Sequence, residues 1–211
     1  MPKVFLVRHG ESTGNQHARL QGSRIGGALS ELGRKQSVAT ASYLFDSFEE
    51  LQHGNVRLIS SPSTRALETA VPIAERLRCE IEIDNDLSEV DFGDWSGVSV
   101  SQLETDPSYQ AWKVDPWVNS PPGGESLVAV RSRIWRAVSK RAAIADVQPV
   151  ILVTHFFPLM ALFSVLVPGN SLRSDNASIS RFQLIEGQWT PTHINDIRHL
   201  CEVAPTAVRY V

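Results

Sequence analysis

Residues 3–15, KVFLVRHGESTGN, set an unbroken apolar run, Val4 to Val7, directly against Arg8, His9 and Glu11. A short run with β-branched residues and no polar alternation suits a strand buried on both faces, as in the centre of a parallel sheet. Ionisable groups at the end of such a strand are costly unless they are paired or used. The pattern recurs in VILVT at 150–154, which runs into His155. VRLISS at 56–61 leads through Pro62 to Arg65, and EIEID at 80–84 alternates as a more exposed strand does.

Helical stretches separate these runs. One extends from Ser30, placed to cap it, to Phe45. Ser63 is placed to cap a second, TRALETAVPIAERL, which Pro72 is expected to kink or shorten. In SLVAVRSRIWRAVSKRAAIA, 126–145, Leu127, Val130, Ile134 and Val138 fall at helical spacing, with basic residues mostly on the opposite face. FFPLMALFSVLV, 156–167, is too short to span a bilayer and reads as a buried core helix. FQLIEGQWTPTHI reads as a hairpin about Glu186–Gly187. Strands alternating with helices predict an α/β layered fold with a mainly parallel sheet. DPWVNSPPGGES, 115–126, is the best linker candidate, yet most of the strands precede it. It therefore reads as a loop on the active-site side of one domain, 1–211.

The 211 residues are 42% hydrophobic and 20% charged, an ordinary soluble composition. A net charge of −3 gives no electrostatic case for nucleic acid or an anionic membrane as a partner. Cys79 and Cys201 stand alone without CxxC spacing, which excludes a disulfide scaffold and a cysteine-rich zinc site. MPKVFLV reaches Arg8 before a signal segment can form, so the expected location is cytoplasmic. The sequence sets no oligomeric state and leaves a homodimer open.

In open α/β sheets, ligands bind outside the carboxyl ends of the strands. Three of the four expected strands deliver polar residues there: Arg8–His9, Thr154–His155, and Arg65 just beyond Pro62. Two histidines and two arginines converging on one edge predict a polar active site.

RHGES (8–12), Asn15, QG (21–22), SSPSTRALETA (60–70), EVDFGDWSG (89–97) and VTH (153–155) follow one another across nearly the whole chain. Together they resemble the histidine phosphatase superfamily, which contains the cofactor-dependent phosphoglycerate mutases and many small phosphatases. The resemblance implies a three-layer α/β/α arrangement with a mixed central sheet flanked by helices. It also implies roles. A phosphoryl group repels nucleophiles and its alkoxide leaves poorly, so unaided hydrolysis is very slow. On the family pattern His9 attacks phosphorus to give a phosphohistidine, for which it must be neutral. Arg8 and Arg65 favour the neutral imidazole by like-charge repulsion, and a carbonyl bond to the other ring nitrogen would fix its tautomer.

Arg8 and Arg65 would clamp the equatorial oxygens, with a protonated His155 as a third cationic donor. Asn15 would add a neutral donor, although it also reads as a turn residue in STGN. Gly10 allows a close backbone approach or simply ends the strand. Glu89, three residues before the Phe-Gly pair, is the expected proton donor, favoured over Asp91 and Asp94. Glu11 is expected to hold Arg8 or nearby backbone. The loop Gln21, Gly22, Ser23, Arg24 would border the substrate, with Arg24 either meeting a substrate anion or solvated. With this many donors and no carboxylate cluster, neither a metal ion nor another cofactor is expected. His17, His53, His193 and His199 match no motif position and read as surface or structural.

Two departures stand out. Relatives usually carry glycine after the second histidine, where this chain has Phe156 and Phe157. With Trp95 these hint at an apolar moiety beside the phosphate, or else are core packing. Gly26, Gly27 and Ala28 stand where many relatives have an Asp and a Pro. The compact chain, with ten residues after Cys201, favours hydrolysis of a small phosphorylated metabolite. A phosphoglycerate mutase and a non-catalytic phosphate-binding module are the alternatives.

Overall fold

The structure, a computed structural model, describes residues 3–142, 148–169 and 173–203. In chain order it places β1 at Lys3–Arg8, α1 at Thr13–Gln16, α2 at Glu31–Ser47, β2 at Arg57–Ser60, α3 at Thr64–Leu77 and β3 at Ile81–Ile83. There follow α4 at Val100–Leu103, α5 at Pro107–Val114, α6 at Leu127–Ala142, β4 at Val150–Thr154 and α7 at Phe156–Leu166. A hairpin, β5 at Ile179–Ile185 and β6 at Gln188–Asp196, completes the sheet. The strand order is β3-β2-β4-β1-β5-β6. The first four of these are parallel, and β5 runs antiparallel to both β1 and β6.

The unbroken apolar runs are explained by what covers each face. Val4, Leu6, Ile59, Val150 and Leu152 pack with Val130 and Ile134 of α6 and with Leu159 and Leu162 of α7. Phe5, Val7, Leu58, Ile151 and Val153 pack with Ala41 and Leu44 of α2 and with Ala70 and Ile73 of α3. Each fully buried Val, Leu, Ile or Phe contributes about 1.5–3 kcal/mol. Two covered faces therefore hold the central strands rigid and aim their carboxyl ends at one edge.

Local expectations fare unevenly. Ser30 caps α2, its hydroxyl accepting from the Gly33 N–H at 2.9 Å. Ser63 precedes α3 without a side-chain capping bond. Pro72 does not shorten α3, which continues to Leu77. Buried Ala70, Ile73 and Leu77 bracket the proline and outweigh the one lost hydrogen bond. Positions 143–145 of the helix expected over 126–145, and the tail from 204 on which the hydrolysis expectation leaned, lie outside the described residues. The stretch 115–126 is no linker. Glu125 N–H donates to the Asp91 carbonyl at 2.8 Å, and Asp94 N–H donates to that of Pro122 at 2.9 Å. Gly93, at φ +54°, is required there, because a Cβ would sit 2.1 Å from the Pro122 oxygen. The loop thereby clasps the segment that carries Glu89. Among the described residues no helix is long and apolar enough to cross a membrane.

Candidate active site

Strand register assembles the two histidines. Arg8 pairs with Thr154, so the next residues, His9 and His155, lie side by side with ring centroids 5.0 Å apart. His9 N–H donates to the Thr154 carbonyl at 3.0 Å, and Ser61 N–H to the Val153 carbonyl at 3.0 Å. Three parallel strands thus end together, and both rings are buried.

His9 Nδ1 lies 2.7 Å from the Gly10 carbonyl oxygen, an acceptor only, so Nδ1 carries the proton. Nε2 is left with its lone pair. Arg65 Nε–H points at it from 3.3 Å. Burial, then Arg65, then Arg8 pull the His9 pKa well below its ordinary value, which keeps the ring neutral. The rest of the Arg65 guanidinium donates to the carbonyls of Gly22 at 2.9 Å and Ile25 at 3.4 Å. Arg8 donates to the Ser174 carbonyl, and its guanidinium carbon lies 5.2 Å from the Phe156 ring centroid.

Glu89 Oε1 accepts from its neighbour Val90 N–H at 2.9 Å and from Phe157 N–H, at the start of α7, at 3.2 Å. Burial raises the Glu89 pKa; the Val90 bond, Arg65, Arg8 and Arg133 oppose the rise without reversing it. A carboxyl held this way can keep a proton at a pH where an exposed one would lose it.

His155 differs from its expected form. Burial, then Arg65 and His9, push its pKa well below the ordinary value, so the free site holds it neutral rather than cationic. His155 Nε2 lies 2.8 Å from the Ser61 hydroxyl oxygen and 3.3 Å from that of Ser63, and Ser63 N–H donates to Ser61 Oγ at 3.4 Å. Nδ1 of the same ring has no partner among the described residues.

Asn15 and Gln21 line the same cavity, together with Arg8, His9, Gly22, Arg65, Glu89 and Phe156. Asn15 Oδ1 accepts from Ser12 N–H at 3.1 Å and from Asn176 Nδ2 at 3.2 Å, which turns its own NH2 away from that side. Gln21 accepts from the Ser12 hydroxyl at 2.7 Å. A Cβ at Gly27 would sit 1.8 Å from Gln21 Nε2, so the departure at 26–28 gives Gln21 its space.

Other expected contacts are not made. Arg24 turns to Asp91 at 2.7 Å and to the Gly123 carbonyl at 2.8 Å, on the loop rather than in the cavity. Ser23 is exposed outside the lining, and only its backbone is used, to Val90. Glu11 holds the Ser30 hydroxyl at 2.7 Å, not Arg8. Trp95 takes the core-packing alternative, edge-on against Tyr109 at 5.4 Å. Asp91 and Asp94 stand outside the cavity lining.

Several supporting residues carry no sequence signal. Arg133 binds the Ser88 and Glu89 carbonyls and both oxygens of Glu125, tying α6 and the 115–126 loop to the Glu89 segment. Asn176 donates to the His9 carbonyl at 3.1 Å as well as to Asn15. Ser61 was visible inside SSPSTR, but its role follows only from the register of β2 and β4. Among the described residues no group of three or more His, Cys, Asp or Glu is placed to hold a metal ion.

Residues 4–197 match the profile of the histidine phosphatase superfamily (branch 1). A bifunctional protein of Mycobacterium tuberculosis is 32% identical over 185 residues, 84% of this chain and 49% of that protein. The chain thus spans about half the length of the first curated relatives it matches. Phosphoserine phosphatase 1 of Hydrogenobacter thermophilus is 32% identical over 210 residues, covering 96% of each. The solved mycobacterial glucosyl-3-phosphoglycerate phosphatase in complex with VO3 superposes with a TM-score of 0.79 at 30% identity, covering 92% of this chain and 99% of that one.

Proposed function

The chain belongs to the histidine phosphatase superfamily, and on that premise we propose that it hydrolyses a small phosphomonoester metabolite through a phosphohistidine on His9, without a metal ion. The observation that carries this reading is the His9 ring itself. Its Nδ1–H is spent on the Gly10 carbonyl, and its Nε2 lone pair is held 3.3 Å from an Arg65 N–H. The relatives matched over most of their length are named for phosphorylated small molecules, which supports the substrate class. One sheet with an apolar cluster on each face supports reading 1–211 as a single catalytic domain.

In the first step the Nε2 lone pair attacks phosphorus as the ester P–O bond breaks, and the leaving oxygen takes the Glu89 proton. In the second, the Glu89 carboxylate takes a proton from water, whose oxygen attacks phosphorus. The P–N bond breaks and its electron pair returns to Nε2. Arg8, Arg65, the Asn15 amide and a ring N–H of His155 hold the equatorial oxygens throughout. As the dianion arrives, it favours protonation of His155, so the cationic form belongs to the complex rather than to the free site.

Rapid quench with a radiolabelled phosphomonoester tests this. The expected result is an acid-labile, base-stable phosphoenzyme that His9→Ala lacks, with turnover unaffected by chelator. Undiminished turnover in His9→Ala would overturn the mechanism. Isomerisation of 3-phosphoglycerate with a bisphosphoglycerate primer would replace hydrolysis with the mutase reading.

A further inference from the structure

We propose that the region of the cavity beside the phosphate clamp takes an uncharged aromatic or apolar leaving group and that Phe156 selects for it, an inference that rests on the phosphatase reading above. The cavity encloses about 700 Å³, far more than a phosphoryl group fills. Beside the clamp its wall is built of rings. Phe156 stands edge-on to Phe157 at 5.1 Å, and Phe157 packs against Trp112 at 5.4 Å and Phe92 at 5.5 Å. Phe92 and Trp112 are buried and fix Phe157, so this wall is set before a ligand arrives. An aromatic group lodged against such rings gains about 0.5–1.5 kcal/mol beyond its area burial. A hydroxyl pressed directly against these ring faces would be buried against carbon.

The charges on the rim point the same way. Lys113 Nζ lies 3.1 Å from Glu104, and Arg173 Nε lies 2.9 Å from Asp175. Arg19 donates to the Gly97 carbonyl at 2.8 Å. A second anionic group on the substrate would meet two cations already matched by carboxylates of this chain. Arg8 and Arg65, which line the same cavity, are the cations assigned to the reacting phosphate. The departure at Phe156 from the family pattern thus has a use. Phe156 puts a ring where glycine leaves open space, directly beside the first arginine of the clamp.

The test compares kcat/KM for 2-phenylethyl phosphate, ethyl phosphate, glycerol 1-phosphate and 3-phosphoglycerate, all of which release a primary alcohol. The phenylethyl ester is expected to exceed the ethyl ester by on the order of tenfold to a hundredfold. In Phe156→Gly that ratio falls by on the order of tenfold, and Phe156→Leu, which keeps apolar bulk, recovers part of it. A ratio near one, a ratio unchanged in Phe156→Gly, or a preference for 3-phosphoglycerate overturns the proposal while leaving the phosphatase reading intact. Failure to hydrolyse any of the four overturns the phosphatase reading itself.

Discussion

Arg65 Nε lies 3.3 Å from His9 Nε2, while the other two nitrogens of the same guanidinium hold the Gly22 and Ile25 carbonyls. The arginine therefore aligns the proposed nucleophile and ties the 21–25 loop to it. Lysine keeps the charge but offers its donors from one nitrogen, so it cannot reach the three separate acceptors that the planar guanidinium spans. Arg65→Lys is expected to lower kcat/KM by on the order of a hundredfold to a thousandfold, the usual cost of losing one preorganised donor. Steady-state kinetics at saturating and limiting substrate check this. A loss below about threefold would mean that the arginine's charge alone matters.

Glu89 is buried with its pKa raised, and its role as proton donor predicts a dependence on the leaving group. An alkoxide needs the proton as it departs, whereas 4-nitrophenolate does not. Glu89→Gln should therefore lose on the order of a hundredfold or more in kcat/KM with ethyl phosphate and far less with 4-nitrophenyl phosphate. Equal losses with the two esters would assign Glu89 to positioning. The wild-type profile for ethyl phosphate should also fall on its alkaline side as Glu89 ionises, and that limb should vanish in Glu89→Gln.

The two neutral histidines set the stability in weak acid. Burial lowers the pKa of His9 and of His155 well below 6.5. As pH falls through 6.5 the unfolded chain takes up two protons that the folded chain refuses, so stability drops until the folded pKa values are reached. Glu89 acts in the opposite sense. Its raised pKa gives stability that is full below 4.5 and lost as pH rises through the folded value. His193 and His199 are lowered as well and act with His9 and His155 against the single Glu89, so the urea midpoint should fall between about pH 7.5 and about pH 5.5. His155→Gln should show a shallower fall, and a midpoint that rises on acidification would contradict the burial argument.

What the sequence reveals and what it hides divide along a physical line. The strand ends Arg8–His9 and Thr154–His155 were legible because unbroken apolar runs report burial on both faces, and their polar termini then demand a reason. The segment Glu89–Gly97 was legible only through family resemblance, since a carboxylate beside two aspartates has no periodicity to single it out. The misplaced residues are those whose partner lies far away in the chain. Arg24 finds Asp91 and Glu11 finds Ser30, each decided by packing that local spacing does not encode. The same holds for Arg133, whose Glu125 and Glu89 partners come from separate loops.

Asn176 is the clearest residue of that hidden kind, and it yields the last prediction. It bonds the carbonyl of His9 and the Oδ1 of Asn15 with one amide nitrogen, at 3.1 and 3.2 Å. Asn15 Oδ1 is thereby fixed on the protein side, and its NH2 remains for a phosphate oxygen. Without that anchor Asn15 would still be held by Ser12 N–H, so its amide would be loosened rather than lost. Asn176→Ala should therefore lower kcat/KM by on the order of tenfold, or about 1.4 kcal/mol, through the donor geometry. Asn176→Asp removes both donated hydrogens and sets a carboxylate against two oxygens, so its loss should be greater. In an Asn15→Ala background the effect of Asn176→Ala should largely disappear, because the two act as one unit. Fully additive losses in that double-mutant cycle would place Asn176 with His9 alone, as a support for the nucleophile's backbone.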